Sequence, residues 1–419
     1  MSRSSTTLLV AILAVSFNLR IGIVSVGPVV DDIRSSTGMS NGIAGLLGAL
    51  PFLCMGVFAF AGPPLTARIG SLRLIGYALA LITLGTLARA AAPGAALVVL
   101  ATVPLGMGIA LTGLALPGVV KHHFPGRLGA ITGTYVASLA IGGGVGALLV
   151  VPLEHELGGW RGAFAVTALP ALLALPVWVR AIATIDHDAQ PLPSVPEGTP
   201  RSWRPGPQAL RLGLMFGLQS MCFAAMMTWL ASLYRHTGWS TGHAALTTAV
   251  VSLLVAPAGL LLPRLSEGRD RRPWVFWTAV LMASSVLAIA IAPRVASWLW
   301  VIAFGLGTGS IFSLMMTLPL DLRDSRSEID ELTGWMLGIG YVLSAGAPAL
   351  VGLGRDLTGG FELPLIVMSV LGFGAGVVAL SPKLRPVAGG VSEPSGHRSR
   401  AATRADARST APAGRHFRA

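Results

Sequence analysis

The sequence predicts an all-α integral membrane protein whose twelve transmembrane helices form two pseudo-symmetric halves of six. Composition is the first reason. Of 419 residues, 53% are hydrophobic and 11% are charged, where soluble domains carry roughly 25% charged residues. So few polar groups cannot cover a water-facing surface, and lipid must serve as the outer solvent. The second reason is the spacing of charge-poor runs, and the third is the sidedness of the basic residues between them.

A bilayer core takes about 20 apolar residues of helix, because every backbone polar group must pair internally in lipid. Twelve runs qualify: 7–30, 41–62, 74–92, 95–120, 128–153, 161–180, 209–234, 243–263, 273–293, 296–320, 331–353 and 362–381. A loop from Gly62-Pro63-Pro64 to Arg73 is expected between spans 2 and 3. Lys and Arg gather in cytoplasmic loops. With both termini cytoplasmic, 23 Lys and Arg fall inside and five outside (Arg34, Arg161, Arg235, Arg294 and Arg355). Without the C-terminal tail the ratio is still 15 to five, which supports the even span count and the orientation. The first run is long enough to remain as a span rather than a cleaved signal.

The resulting organisation is a six-span N-terminal half at 1–180, a cytoplasmic linker at 181–208, a six-span C-terminal half at 209–382 and a basic tail at 383–419. The tail is Ala, Arg, Ser, Pro and Gly, too polar to bury a core, and is expected to be disordered on the cytoplasmic side. The halves read as repeats. Ile131-Thr132-Gly133 and Leu332-Thr333-Gly334 are offset by 201, as are Leu149-Val150 and Leu350-Val351. Phe17-Asn18-Leu19-Arg20 and Phe216-Gly217-Leu218-Gln219 are offset by 199. Duplicated halves are a transporter hallmark and place binding at their interface.

Arg20 is the most informative residue. It lies near the middle of span 1, where an arginine costs roughly 2.5–3.5 kcal/mol on insertion scales. It must face a wet cavity or a polar partner. It either anchors an anionic or strongly polar solute or clamps neighbouring helices, and the first role is favoured. Gln219 is its counterpart in span 7 and is equally consistent with solute binding or an interhelical hydrogen bond. Tyr135 and Tyr341, early in spans 5 and 11, either line a cavity or sit in the inner aromatic belt. Arg89, at the outer end of span 3, is expected to snorkel to the interface. Cys54 and Cys222 read as small packing residues. No Asp, Glu or His lies deep within a span. No phosphate loop, HExxH or paired-cysteine metal site occurs. Neither catalytic residues, metal nor cofactor are expected, and the chain does not look like an ATP-driven pump.

These residues bring the chain close to a known group. Leu65-Thr66-Ala67-Arg68-Ile69-Gly70 resembles the loop 2–3 signature of the major facilitator superfamily, with Ala67 where an Asp is usual. A larger set resembles the cyanate/2-nitroimidazole permease family within it: Asn18-Leu19-Arg20 with Ser25-Val26-Gly27-Pro28; Leu116-Pro117 with Val120-Lys121 and Phe124-Pro125; Thr132-Gly133 with Tyr135; Gly159-Trp160-Arg161; Phe216-Gly217-Leu218-Gln219-Ser220 with Trp229-Leu230; Gly340-Tyr341; and Arg355-Asp356-Leu357-Thr358-Gly359. The resemblance covers about 7–381. It implies the major facilitator fold, twelve helices in two six-helix bundles around a central cavity with alternating access. It also implies small polar solutes such as the cyanate anion and nitroimidazoles. Asn18, Arg20 and Gln219 match its cavity motif, and Arg68 and Gly70 its gating loop. Gly113, where the family often has Asn, and Leu337, where it often has Gln, imply a different or more apolar solute.

The expected function is therefore secondary active transport of a small anionic or polar solute across the plasma (inner) membrane. The partners are that solute and the bilayer, with no nucleic acid, and the monomer is the working unit. Met221, Phe223, Met226 and Met227 after Gln219 keep a broad-specificity drug exporter of the same fold open. A non-transporting receptor would need a signalling domain, and no segment is long enough for one.

Overall fold

A computed structural model of the chain describes residues 3–185, 204–381 and 384. The expected linker and tail therefore lie outside the described residues for the most part. The described residues form fourteen α-helices and one 3₁₀ turn, with no strands. Twelve spans are long and apolar enough to cross a membrane. Spans 1 and 6 are each two helices in sequence. Span 1 is α1 (Arg3–Val24) continued by α2 (Val26–Thr37), and span 6 is α7 (Trp160–Thr167) continued by α8 (Leu169–Ile185). Spans 2–5 are α3 (Asn41–Ile69), α4 (Ser71–Ala91), α5 (Ala95–His123) and α6 (Leu128–Glu156). Spans 7–12 are α9 (Pro207–His236), α10 (Thr241–Leu265), α11 (Arg272–Ile291), α12 (Ser297–Leu322), α13 (Arg326–Thr358) and α14 (Glu362–Ala379).

Proline explains the interrupted spans. Pro28 has no N–H for the carbonyl of Val24, and the helix ladder breaks at Ser25, whose hydroxyl donates back to the Ile21 carbonyl at 2.7 Å. Pro170 acts likewise two residues after the break at Ala168. Span 1 thus starts earlier than expected and ends its first helix at Val24, which puts Arg20 one turn before a break rather than at mid-helix. The expected loop from Gly62 to Arg73 is instead helix. α3 runs through Gly62-Pro63-Pro64 to Ile69 and turns only at Gly70, whose φ of 85° favours glycine. Tight packing carries the helix past the prolines; the Phe60 ring sits 5.1 Å from that of Trp335 on α13.

The repeat is clearest in the turns. Thr37-Gly38-Met39-Ser40 and Thr237-Gly238-Trp239-Ser240 are offset by 200. Gly38 and Gly238 both take positive φ. Ser40 then caps the Ile43 N–H and Ser240 the His243 N–H. Gly158 and Gly359, offset by 201, are likewise left-handed, and each precedes by two residues a buried aromatic, Trp160 or Phe361.

The two bundles meet along α3 against α13, α6 against α10, and α2 against α9. By the parity of the spans, the start of α1 and the end of α14 lie at one end of the bundle, called here the terminal end. At the opposite end the halves are tied by polar contacts. Asp31 accepts from Ser232 at 2.6 Å and from Arg355 at 3.2 Å. Asp32 pairs with Arg235 at 2.5 Å. Asp356 accepts from the Asn41 amide at 2.5 Å and from the Gly42 N–H at 2.9 Å. Among the described residues, every ion pair between the halves lies at this end. Close approach supports these ties: a Cβ on Gly27 would meet the Met227 carbonyl at 2.5 Å.

Arg89 corrects the expectation of snorkelling. It is 1% exposed. Its Nη1 donates to the Gly22 carbonyl at 2.9 Å, and its guanidinium lies 4.4 Å from the Phe164 ring. The carbonyl it takes belongs to the turn of helix just before the break in span 1. Arg89→Met is expected to lower the melting temperature in detergent, losing about 1–3 kcal/mol with the charged hydrogen bond. An unchanged melting temperature would show that this clamp contributes nothing.

Candidate solute site

Arg20 projects from α1 as a half-buried side chain. Its Nη1 is buried without a hydrogen-bond partner, and no carboxylate among the described residues pairs with it. Its guanidinium lies 5.0 Å from the Phe223 ring centroid. Because Phe223 is on α9, this cation–π contact crosses between the halves. Phe223 leads into an aromatic wall. Phe52 on α3 lies 6.4 Å from Phe223 and 6.2 Å from Tyr341 on α13, and Tyr341 lies 5.1 Å from Phe216 on α9. Tyr341 is also within electrostatic reach of Arg20. A cation in a low-dielectric setting without a counter-charge is costly to hold, and an anion bound beside it would offset that cost.

The structure thus brings Arg20 and Tyr341 together. The other expected residues are placed differently. Gln219 is 1% exposed, and its amide donates to the adjacent Ser220 hydroxyl at 2.5 Å. Asn18 is buried, with its amide on the Ala14 carbonyl of its own helix at 2.8 Å. Tyr135 packs against a core cluster inside the N-terminal half. Arg68 is exposed at the terminal end, and Gly70 forms the turn between α3 and α4. Met226 and Met227, read as possible cavity residues, are sealed in the core at 0% and 1% exposure; on α9 they fall on the packed side, whereas Met221 and Phe223 are half-buried.

Two contributors escape a sequence reading. Phe52 is one of many apolar residues in span 2. Ser252, on α10, is fully buried with an unpartnered hydroxyl. Gly143 on α6 brings it to Arg20: a Cβ there would lie 3.2 Å from the Arg20 Cβ and 3.3 Å from the Ser252 Oγ. Among the described residues no cluster of metal-ligating side chains occurs.

A membrane bundle of duplicated halves with a polar group at their interface is the architecture of a secondary transporter. Residues 8–348 match the family profile of the Major Facilitator Superfamily, and the chain belongs to that family. Among curated proteins it is 31% identical over 358 residues to the Cyanate transport protein CynX of Escherichia coli (strain K12), a match covering 84% of this chain and 91% of that one. It is 32% identical over 383 residues to the uncharacterized transporter YycB of Bacillus subtilis (strain 168), with coverages of 88% and 93%. It is 29% identical over 370 residues to the 2-nitroimidazole transporter of E. coli (strain K12), again covering 88% and 93%. Among solved structures, a bacterial homolog of the human lysosomal transporter Spinster, in an inward-facing and occupied conformation, superposes with a TM-score of 0.75 at 15% identity, covering 92% of this chain and 99% of that one. A D-xylose-proton symporter superposes with a TM-score of 0.68 at 16% identity, covering 91% and 98%.

Proposed function

We propose that this protein is a secondary active transporter that carries a small anionic or polar solute, of the cyanate or nitroimidazole kind, across the plasma membrane by alternating access. The observation that carries the proposal is Arg20, a membrane-embedded cation of one half that faces groups of the other half and has no protein counter-ion. A solute held there would touch both bundles, so that its binding biases their relative position. The ties at the opposite end then describe the state closed on that side, with the cavity reached from the terminal end. The names of two relatives agree with small solutes of this kind. Met226 and Met227 lie in the core, which weighs against the broad adaptable surface of a drug exporter.

Both termini are placed in the cytoplasm on the charge asymmetry, the halves divide at 1–180 and 209–382, and the monomer is the working unit. Glu156 and Glu267 are exposed at opposite ends. Glu156→Cys is expected to react with an impermeant thiol reagent from outside intact cells, and Glu267→Cys only after the membrane is opened. The reverse pattern would overturn the orientation. The function itself is tested by counterflow of labelled cyanate and 2-nitroimidazole in proteoliposomes. Saturable exchange that Arg20→Ala removes is expected; equal exchange in empty liposomes would sink the proposal.

A further inference from the structure

We infer that the Arg20 site is built for a flat-ringed organic monocarboxylate, with Ser252 as one of its hydrogen-bond donors. The inference rests on the transporter reading and specifies the chemistry of the same site.

The hydroxyls show where the site lies. In most spans a serine or threonine returns its hydroxyl to the carbonyl one turn earlier. Ser16 bonds Ile12 at 2.8 Å, Thr86 bonds Ile82 at 2.7 Å, Thr112 bonds Gly108 at 2.8 Å and Ser285 bonds Leu281 at 2.7 Å. Ser252 makes no such bond and no other. Nor does Thr248, one turn earlier on the same face of α10. Both residues are 0% exposed. Buried polar groups are normally hydrogen-bonded, so two unpartnered hydroxyls on the α10 face that approaches the Arg20 stem across Gly143, together with an unpartnered Arg20 Nη1, mark a place where a ligand supplies the missing acceptors. Arg20 and Ser252 come from different halves, and a Cβ on Gly143 would lie 3.2 Å from the Arg20 Cβ and 3.3 Å from the Ser252 Oγ, so the missing side chain lets the two residues approach.

The donors select charge. Arg20 offers a planar fork of N–H groups that a carboxylate can accept in bidentate fashion, and the Ser252 O–H can serve a carboxylate oxygen. Among the described residues no acidic side chain pairs with Arg20. The walls select shape. Phe223 covers one face of the guanidinium, and Phe52 and Tyr341 continue the surface at ring separations of 6.2–6.4 Å. A compact anion would satisfy Arg20 and leave the aromatic wall unused. A carboxylate carried on a flat ring uses both, with the ring edge-to-face or offset against Phe52 and Tyr341.

The test compares binding of benzoate, cyclohexanecarboxylate, benzamide and cyanate to the purified protein by calorimetry, with melting temperatures measured on the same samples. Benzoate is expected to bind about 10- to 100-fold tighter than neutral benzamide, since the charged hydrogen bonds are lost with the charge. It is expected to bind about 2- to 10-fold tighter than cyclohexanecarboxylate, the advantage of an aromatic pair over equal apolar bulk. Phe223→Leu should erase the second preference, and Phe223→Tyr, which keeps a ring, should retain it. Ser252→Ala should weaken benzoate about 2- to 10-fold without lowering the melting temperature of the free protein, because that hydroxyl bonds nothing there. Cyanate binding as tightly as benzoate, benzamide matching benzoate, or no saturable benzoate binding up to about 10 mM, where even weak ligands stabilise, would each overturn the inference. So would a Ser252→Ala protein that melts lower yet binds benzoate unchanged. Failure of the transporter reading looks different: benzoate binds with the expected preferences but crosses no proteoliposome membrane. Cyanate flux without benzoate binding would remove the ligand class and leave the transporter.

Discussion

Arg20→Ala is expected to weaken solute binding by about 10- to 100-fold, the scale of a lost hydrogen bond to a charged group, while the free protein melts no lower than the parent. The second half of this expectation follows from what Arg20 lacks. Its Nη1 has no hydrogen-bond partner in the protein, and no carboxylate pairs with it. Removing it therefore breaks no hydrogen bond or ion pair. It removes a buried cation that is costly to hold in the membrane and loses one cation–π contact, worth about 0.5–2 kcal/mol. Arg20→Lys keeps the charge but not the planar fork, so its binding should fall between the two. Calorimetry and melting curves on the same preparations decide the matter. A protein that melts much lower but binds as tightly as the parent would show that Arg20 is a helix clamp.

Arg89 shows why burial has to be read together with partners. It too is a buried arginine over an aromatic ring without a carboxylate partner, and its Nε and Nη2 bond nothing, yet its Nη1 holds the Gly22 carbonyl of another span, a tie that Arg20 does not make. The sequence separates the two residues only by depth. It places Arg20 at mid-span and Arg89 at a span end, which suggests the interface. What it does not display is the break at Ser25. That break follows from Pro28 and re-aims the helix end so that a neighbouring arginine can reach a carbonyl of the turn before it. The spans themselves are legible because lipid demands long apolar runs whatever the tertiary packing. The segment 62–73 departs from its expected loop for the opposite reason: two prolines argue for a loop locally, and packing against α13 keeps α3 helical to Ile69.

The site was half legible for a related reason. A charge in an apolar run stands out, so Arg20 is found at once. Ser252 and Phe52 are ordinary residues for a span, and nothing in their neighbours distinguishes them. Ser252 becomes informative only when its hydroxyl is seen to lack the backbone bond that Ser16 or Ser285 makes. Gln219 illustrates the limit of repeat symmetry. It occupies the position that corresponds to Arg20, but its amide is satisfied by Ser220 within the helix packing. The repeat is better written in turns, such as Gly38-Met39-Ser40 and Gly238-Trp239-Ser240, where positive φ and a capping hydroxyl restrict the choice of residue more than an apolar helix does.

Arg355→Ala is expected to open the opposite end of the bundle. Arg355 is buried, donates to Asp31 and Ser232, contacts His236, and lies 4.4 Å from the Phe361 ring. Asp31 is on α2 and the other four residues belong to the second half, so the guanidinium joins the two bodies. Removing one partner of a buried pair typically costs about 3–5 kcal/mol. Inverting a two-state equilibrium from 1:99 to 99:1 takes about 5.5 kcal/mol. The loss is therefore large enough to shift most of the population if the pair exists only in the closed state. Ser35 on α2 and Leu357 on α13 are exposed and flank the network, so spin labels at Ser35→Cys and Leu357→Cys report its opening. A longer distance should dominate in Arg355→Ala and stay minor in the parent. Asp31→Asn should shift the distribution in the same direction. The double variant should shift it by less than the sum, since the second substitution has no pair left to break. If Arg355→Ala melts lower while the distance distribution stays that of the parent, the network holds the fold together and does not gate it. If the two single effects add in full, Asp31 and Arg355 act separately and the pair is not the lock.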